Sequence, residues 1–158
     1  MNGQLDIRPA RPEDQPALLE IVWQTVMVDP VRNAEIIARP EVVEVPIEQL
    51  EAGTACVAEL DGAIIGFATV LPRADGDAEL DGLFVSPEAQ RAGIGRALVG
   101  RAKRLASEQG ANALHVIANP AAVAFYQAMG FVTTGMTQTQ FEPAPTMALR
   151  LDGEARVG

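Results

Sequence analysis

The segment Gln90-Arg91-Ala92-Gly93-Ile94-Gly95-Arg96 carries the clearest chemistry in this chain. It stands between a strand-like run, Ala78–Val85, and a helical pattern that extends to Gln109. The start of a helix has several N–H groups without intrahelical acceptors and a partial positive charge. Glycines there let a ligand approach the backbone and permit φ above zero. Such a turn binds a pyrophosphate. Two familiar phosphate motifs do not fit it. A P-loop ends in Gly-Lys-Ser/Thr, whereas Gly95 is followed by Arg96-Ala97. A Rossmann fingerprint needs glycine or alanine where Leu98 stands, and a βαβ start. The competing reading is a helix start that binds nothing. It leaves unexplained two glycines in a first turn, each costing about 1 kcal/mol of helix propensity.

Other reactive side chains are sparse. Glu79 and Asp81 are two apart on one strand and so share a face. His115, the only histidine, lies on a strand between the core residues Leu114 and Val116 and faces the other side. A hydrogen-bonded structural role suits it better than a catalytic one. Cys56, the only cysteine, sits in an apolar run and reads as a buried, inert thiol.

The bulk numbers bound what these residues can serve. A chain of 158 residues is enough for one domain, 1–158, with a sizeable core. Twelve basic and 21 acidic residues give a net charge of −9, against a nucleic-acid footprint. A polyanionic ligand must then be held by a local device such as the glycine turn, because the global field repels it. The longest apolar run, Ala63–Leu71, falls far short of the roughly 20 residues that span a bilayer. Met1–Arg11 has no apolar signal core, so a cytoplasmic protein without a membrane partner is expected.

The elements that position these residues read in the order βα(α)βββαβαββ. Leu5–Arg8 is a short strand. Pro12–Val28 repeats Leu18, Ile21, Val22 and Val26 at helical spacing, with Pro12 at the first position. Residues 31–52 are the least readable, apart from a short helix at Ile47–Ala52. Thr54–Leu60, Asp61-Gly62 and Ala63–Leu71 form a strong hairpin signal. Arg91–Gln109 reads as a helix closed by Gly110, and Ala113–Ala118 as a strand. Asn119-Pro120 opens a helix that Gly130 ends. Phe131–Thr139 and Thr146–Leu151 are final strands, separated by Pro143 and Pro145. The fold class is α/β: a twisted, mixed sheet of six or seven strands with helices on both faces.

Gln90-x-x-Gly93-x-Gly95 after the strand Glu79–Val85 resembles the acetyl-CoA signature of the GNAT superfamily of N-acyltransferases. Asn119, Ala122, Phe125-Tyr126 and Gly130-Phe131 are similar to that family's closing motif, and Ile7-Arg8-Pro9-Ala10 with Asp14 looks like its opening. The resemblance covers nearly the whole chain in topology and is specific over about Glu79–Phe131. It implies that the fourth and fifth strands splay and that the pantetheine arm fills the gap. Backbone groups of Leu83, Phe84 and Val85 would pair with the arm like an added strand. N–H groups of Arg91, Ala92, Gly93, Ile94, Gly95 and Arg96 would hold the pyrophosphate, with Gln90 opening the turn. Asn119 would touch the arm, or else cap its helix.

The resemblance makes Tyr126, the only tyrosine, the general acid that protonates the departing thiolate. The other reading is a core aromatic beside Phe125. Glu79 stands where many family members carry a catalytic glutamate, and a strand-end carboxylate facing water is an equal reading. The implied reaction is acetyl transfer from acetyl-CoA, as co-substrate and without a metal, to a primary amine by direct attack. A sensor of acyl-CoA with the same fold is the alternative. The acceptor, a small molecule or a peptide, would meet residues from about Val28–Leu50 and Thr139–Thr146. Glu41, Glu44, Glu48 and Glu51 in the first of these favour a cationic one. A homodimer is left open.

Overall fold

A computed structural model describes residues 4–90, 93–139 and 142–151. Among the described residues seven strands and five α-helices follow one another as β1 (Leu5–Pro9), α1 (Gln15–Val26), α2 (Ala34–Ala38), α3 (Ile47–Glu51), β2 (Ala55–Leu60), β3 (Ala63–Pro72), β4 (Ala78–Val85), α4 (Ile94–Glu108), β5 (Ala113–Ile117), α5 (Val123–Ala128), β6 (Val132–Gln138) and β7 (Pro143–Arg150). The strands hydrogen-bond in the order β1-β2-β3-β4-β5-β7-β6, so the fold is the mixed α/β one expected. Among the described residues β4 and β5 run parallel in a ladder of two pairs, Ala78↔Leu114 and Glu79↔His115.

Contacts divide the chain into two compact units. One runs to Thr69 and adds Gly82–Arg101; the other takes Val70–Asp81 and the chain from Ala102 onward. In the first unit, α1 lays Leu18, Ile21, Val22 and Val26 against Val57 and Phe67 of the β2–β3 hairpin. That hairpin turns on Asp61 (φ 52°) and Gly62 (φ 85°). Positive φ at both central residues is the turn whose twist matches the flanking strands. Arg8 ties the start of α1 to the sheet, reaching Asp14 at 2.9 Å and Glu59 at 3.1 Å. This guanidinium holds the buried Asp14 carboxyl below the ordinary carboxylate range. In the second unit, Leu114, Val116, Phe131 and Met147 are buried along β5, β7 and the turn after α5.

Three expectations need correction. Pro12–Asp14 is a 3-10 turn, and the α-helix begins at Gln15. The helix expected from Arg91 starts at Ile94 as α4, with Gly93 outside it; Arg91 and Ala92 fall outside the described residues. Pro143 and Pro145 do not separate the last strands but lie within β7. Proline removes a ladder donor. Here Pro145 faces the far end of β5, where its carbonyl accepts from Ala118 N–H at 2.8 Å, one residue past the last β5 position. The acceptor that loses its ladder donor is the Ala118 carbonyl, beyond the last β5 residue, Ile117.

Candidate active site

In the first unit, the backbone between β4 and α4 is turned by Gly93 at φ +78°. A Cβ there would meet no atom within 4 Å, so conformation and not crowding calls for glycine. The Gly93 carbonyl accepts the first α4 bond, from Ala97 N–H at 3.1 Å. The N–H groups of Ile94, Gly95 and Arg96 belong to the first turn and have no intrahelical acceptor. Ile94 is buried and anchors the turn, while Gly93 and Arg96 are exposed.

The end of β4 is braced just before this turn. Ser86 N–H donates to Ile65 O at 2.7 Å, which fixes that residue's backbone toward β3. Strand alternation then turns the backbone groups of Leu83 and Val85 away from β3, and those of Phe84 toward it. The Gln90 amide donates to Val85 O at 3.3 Å and joins the glycine segment to the strand end. The Phe84 ring stacks on Phe67 at 5.3 Å. The Ser86 hydroxyl, itself buried, lies 2.9 Å from Glu88 Oε1 and 3.2 Å from Gln24 Oε1 on α1.

In the second unit, Tyr126 is 7% exposed on α5. Its ring meets Phe125 and Phe131 edge-on at 5.2 and 5.3 Å. Gly130 (φ +102°) ends the helix and sends Phe131 N–H back to Tyr126 O at 3.0 Å. Burial pushes the phenol up to about 12. The hydroxyl takes part in no hydrogen bond with a described residue. Among those residues no sealed-off side-chain oxygen or nitrogen lacks a partner, so this hydroxyl reaches the surface. Asn119 caps the turn before α5, its Oδ1 accepting from Ala121 N–H at 2.9 Å. That oxygen is therefore engaged by the protein.

Glu79 is half-buried on β4, with Arg73 Nη1 at 3.8 Å. Desolvation raises the Asp81 carboxyl above its ordinary value. His115 is hydrogen-bonded, as expected: Nε2 lies 3.0 Å from Asp77 Oδ2. Arg73 and Asp77 were not legible beforehand, because they sit in a polar loop without periodicity. Asp75, Asp77 and His115 bring possible ligand atoms within 4.8 Å of one another. Each atom already has a protein partner. Arg73 holds both Asp75 oxygens, and Asn112 N–H and His115 take the two Asp77 oxygens. The group works as a polar clasp at the base of the β4–β5 ladder.

Among the described residues no helix is long and apolar enough to cross a membrane. The model of the acetyltransferase (GNAT) family matches residues 19–131. N-acetyltransferase family 8 member 3 of Rattus norvegicus is 32% identical over 128 residues, 75% of this chain and 56% of the relative. The chain thus spans about half the length of that curated relative. Among solved structures, a GCN5-related N-acetyltransferase from Rhodopseudomonas palustris shares the fold with a TM-score of 0.78 and 23% identity, over 96% of this chain and 99% of that one. The PaiA N-acetyltransferase from Thermoplasma acidophilum, solved in complex with coenzyme A, gives a TM-score of 0.75 and 20% identity, over 93% and 99%. With the glycine turn, the braced β4 end and the family model falling on the same residues, this chain belongs to the acetyltransferase (GNAT) family.

Proposed function

We infer that this chain is an N-acetyltransferase that moves the acetyl group of acetyl-CoA to a primary amine. The observation that carries the reading is the turn at Gly93, whose positive φ delivers the bare N–H groups of α4 just after β4. A pyrophosphate suits those groups even in a chain of net charge −9. The outward backbone of Leu83 and Val85 suits the amides of a pantetheine arm as an added strand. Coenzyme A in the PaiA relative supports the same ligand here.

In the proposed reaction the amine nitrogen attacks the thioester carbon, and the carbonyl electrons move onto oxygen. The Val85 N–H, on the side of β4 turned from β3, stabilises that oxygen. Collapse re-forms the carbonyl and breaks the C–S bond, while Tyr126 donates its proton to the leaving sulfur and is reprotonated by the second proton that the acylated nitrogen gives up, leaving neutral amide and thiol. Complete transfer from a phenol at about 12 to a solvated thiolate near 8.5 would run uphill by about 5 kcal/mol. The proton therefore moves as the C–S bond breaks and not to a free thiolate afterwards. The amine arrives protonated, with a pKa of about 10.4. Glu79 takes that proton to solvent through ordered water. Of the two uses open to Asn119, the cap is the one its Oδ1 serves, so Asn119 holds the turn before α5 and not the arm. The acidic stretch around Glu41 to Glu51 favours a cationic acceptor.

Free thiol appearing when the protein, acetyl-CoA and a panel of amines, amino acids and peptides are mixed tests this directly. Coenzyme A binding with one site per chain and no turnover on any amine would instead favour the sensor reading. No heat and no thermal stabilisation at millimolar coenzyme A would reject both.

A further inference from the structure

We propose that Gly66 on β3 is a positioning residue for acetyl transfer: by leaving room for the Phe84 carbonyl, it aims the Val85 N–H at the oxygen that becomes negative. The proposal rests on the function inferred above and adds to it the part of β3 that sets the donor's direction.

β3 is irregular where it meets the end of β4. In its pairing with β2, Gly66 faces Ala58 and Ile64 faces Glu59, so Ile65 is the extra residue of a β-bulge. The Ile65 carbonyl is the one that accepts from Ser86 N–H at 2.7 Å. Gly66 follows it and is buried. It does not take the positive φ of Gly62 or Gly93, so space and not conformation calls for glycine here. A Cβ at this position would lie 2.9 Å from Phe84 O, 3.1 Å from Leu98 Cδ1 and 3.4 Å from Ile94 Cγ2. The end of a leucine side chain can give way. A backbone carbonyl cannot move without its strand.

Side chains stand perpendicular to a sheet, whereas ladder carbonyls lie close to its plane. A carbonyl beside the Cβ site of Gly66 has therefore left that plane, toward the face where Ile94 and Leu98 of α4 pack. The peptide that carries Phe84 O also carries the Val85 N–H, and a planar trans peptide points the two in opposite directions. The Val85 N–H thus leans away from β3 and toward the other face. That face is where Phe67 stacks on Phe84 and joins the α1 core.

The next peptide is fixed from the same side. Ser86 N–H is held by Ile65 O, so the Val85 carbonyl also points away from β3, where the Gln90 amide meets it at 3.3 Å. Both peptide groups of Val85 are thus set by β3, one through the bulge at Ile65 and one through the missing Cβ at Gly66. In Gly66→Ala the methyl would stand 2.9 Å from Phe84 O, where ordinary contact starts at 3.4 Å. The peptide must then shift by about half an ångström, on the scale at which catalytic geometry is felt. Loss of a whole oxyanion donor costs about 10²–10³-fold in kcat.

Gly66→Ala should fold by circular dichroism and bind coenzyme A as the wild type does in calorimetry, because coenzyme A carries no acyl oxygen. Its kcat, on an amine that the wild type acetylates, should fall by about 10–100-fold. Gly100→Ala on α4 is the control: its Cβ would meet nothing within 4 Å, and kcat should not change. A second measurement needs no acceptor. In the isotope-labelled full chain, the Val85 amide proton should move downfield in NMR with an acetyl-CoA analogue that has CH2 in place of the thioester sulfur. The move should exceed any seen with coenzyme A, and the excess should be lost in Gly66→Ala. Wild-type kcat in Gly66→Ala, or an equal fall in Gly100→Ala, would overturn the role of Gly66 and leave the inferred function standing. A wild-type Val85 amide that responds no more to the ketone than to coenzyme A would overturn it as well, whether or not Gly66→Ala folds. Failure of the wild type to bind coenzyme A would instead sink the inferred function, and this proposal with it.

Discussion

At neutral pH the Tyr126 hydroxyl keeps its proton, because burial has moved its pKa to about 12. A donor is what the proposed reaction requires of it, and the shift carries a pH signature. We expect kcat to show no alkaline limb from Tyr126 below about pH 11, one unit under that value. We expect Tyr126→Phe to lower kcat by about 10²–10⁴-fold. The ring contacts with Phe125 and Phe131 survive that change, so Tm should move little. A pH–rate profile and a melting curve of the two proteins check this. Glu79→Gln should lower kcat/KM by roughly 10–1,000-fold, with a loss that shrinks as pH rises and more acceptor arrives neutral. Asp81→Asn should cost less. The reverse order would move the base role to Asp81, whose carboxyl is the one that desolvation raises. Little of this was legible from residue types alone. Helical spacing by itself would have put Tyr126 in the core, where its ring does lie, and a partner for Glu79 such as Arg73 comes from a loop with no pattern to read.

The elements were legible wherever short-range chemistry governs them. Asp61-Gly62 between two apolar runs specifies its turn locally, and the structure places both residues at positive φ. Asn119-Pro120 likewise opens with a side-chain cap, although what it caps is a 3-10 turn, Pro120–Ala122, and α5 follows from Val123. The prolines of β7 were misread because their tolerance depends on where β5 ends, a fact about a partner strand 26 residues away from Pro143 at Ile117. In residues 31–52 the short helix at Ile47–Ala52 was legible and is α3, whereas α2 at Ala34–Ala38 and the 3-10 turn at Pro40–Val42 show too little periodicity to detect. The glycine turn permits a test at this scale. Gly93→Val forces a β-branched residue to φ +78°, an outlier for such side chains. Gly95→Val instead keeps helical backbone and puts bulk among the first-turn N–H groups. Both should weaken coenzyme A binding by tenfold or more in calorimetry, and only Gly93→Val should also lower Tm. Unchanged affinity in both would place the pyrophosphate elsewhere.

For the molecule as a whole, buried acids set how stability falls at high pH. Burial raises the Cys56 thiol from 9.0 to about 11 and the Tyr126 phenol from 10.0 to about 12. Both groups are neutral when protonated, so a raised folded-state pKa means that the fold favours the protonated form. The unfolded chain begins to lose these protons at its own, lower values. Stability from each is fully present below the unfolded pKa and is lost as pH rises toward the folded one. The chain also carries net charge −9 before either group ionises, so each new negative charge adds to repulsion in the compact state. We expect unfolding free energy from urea titrations to be steady up to about pH 9, then to fall in two overlapping steps. A two-unit shift corresponds to at most about 2.7 kcal/mol for each group. Cys56→Val isolates the first step. The site is 1% exposed and apolar, and valine is close to cysteine in volume, so the variant should fold with near-normal stability at pH 7. Between pH 8 and 11 it should lose less stability than the wild type, by up to that amount, and its decline should begin about one unit later, where Tyr126 takes over. Equal losses in the two proteins would mean that the thiol ionises at the same pH folded and unfolded, and that the alkaline limb belongs to Tyr126 and to the net charge.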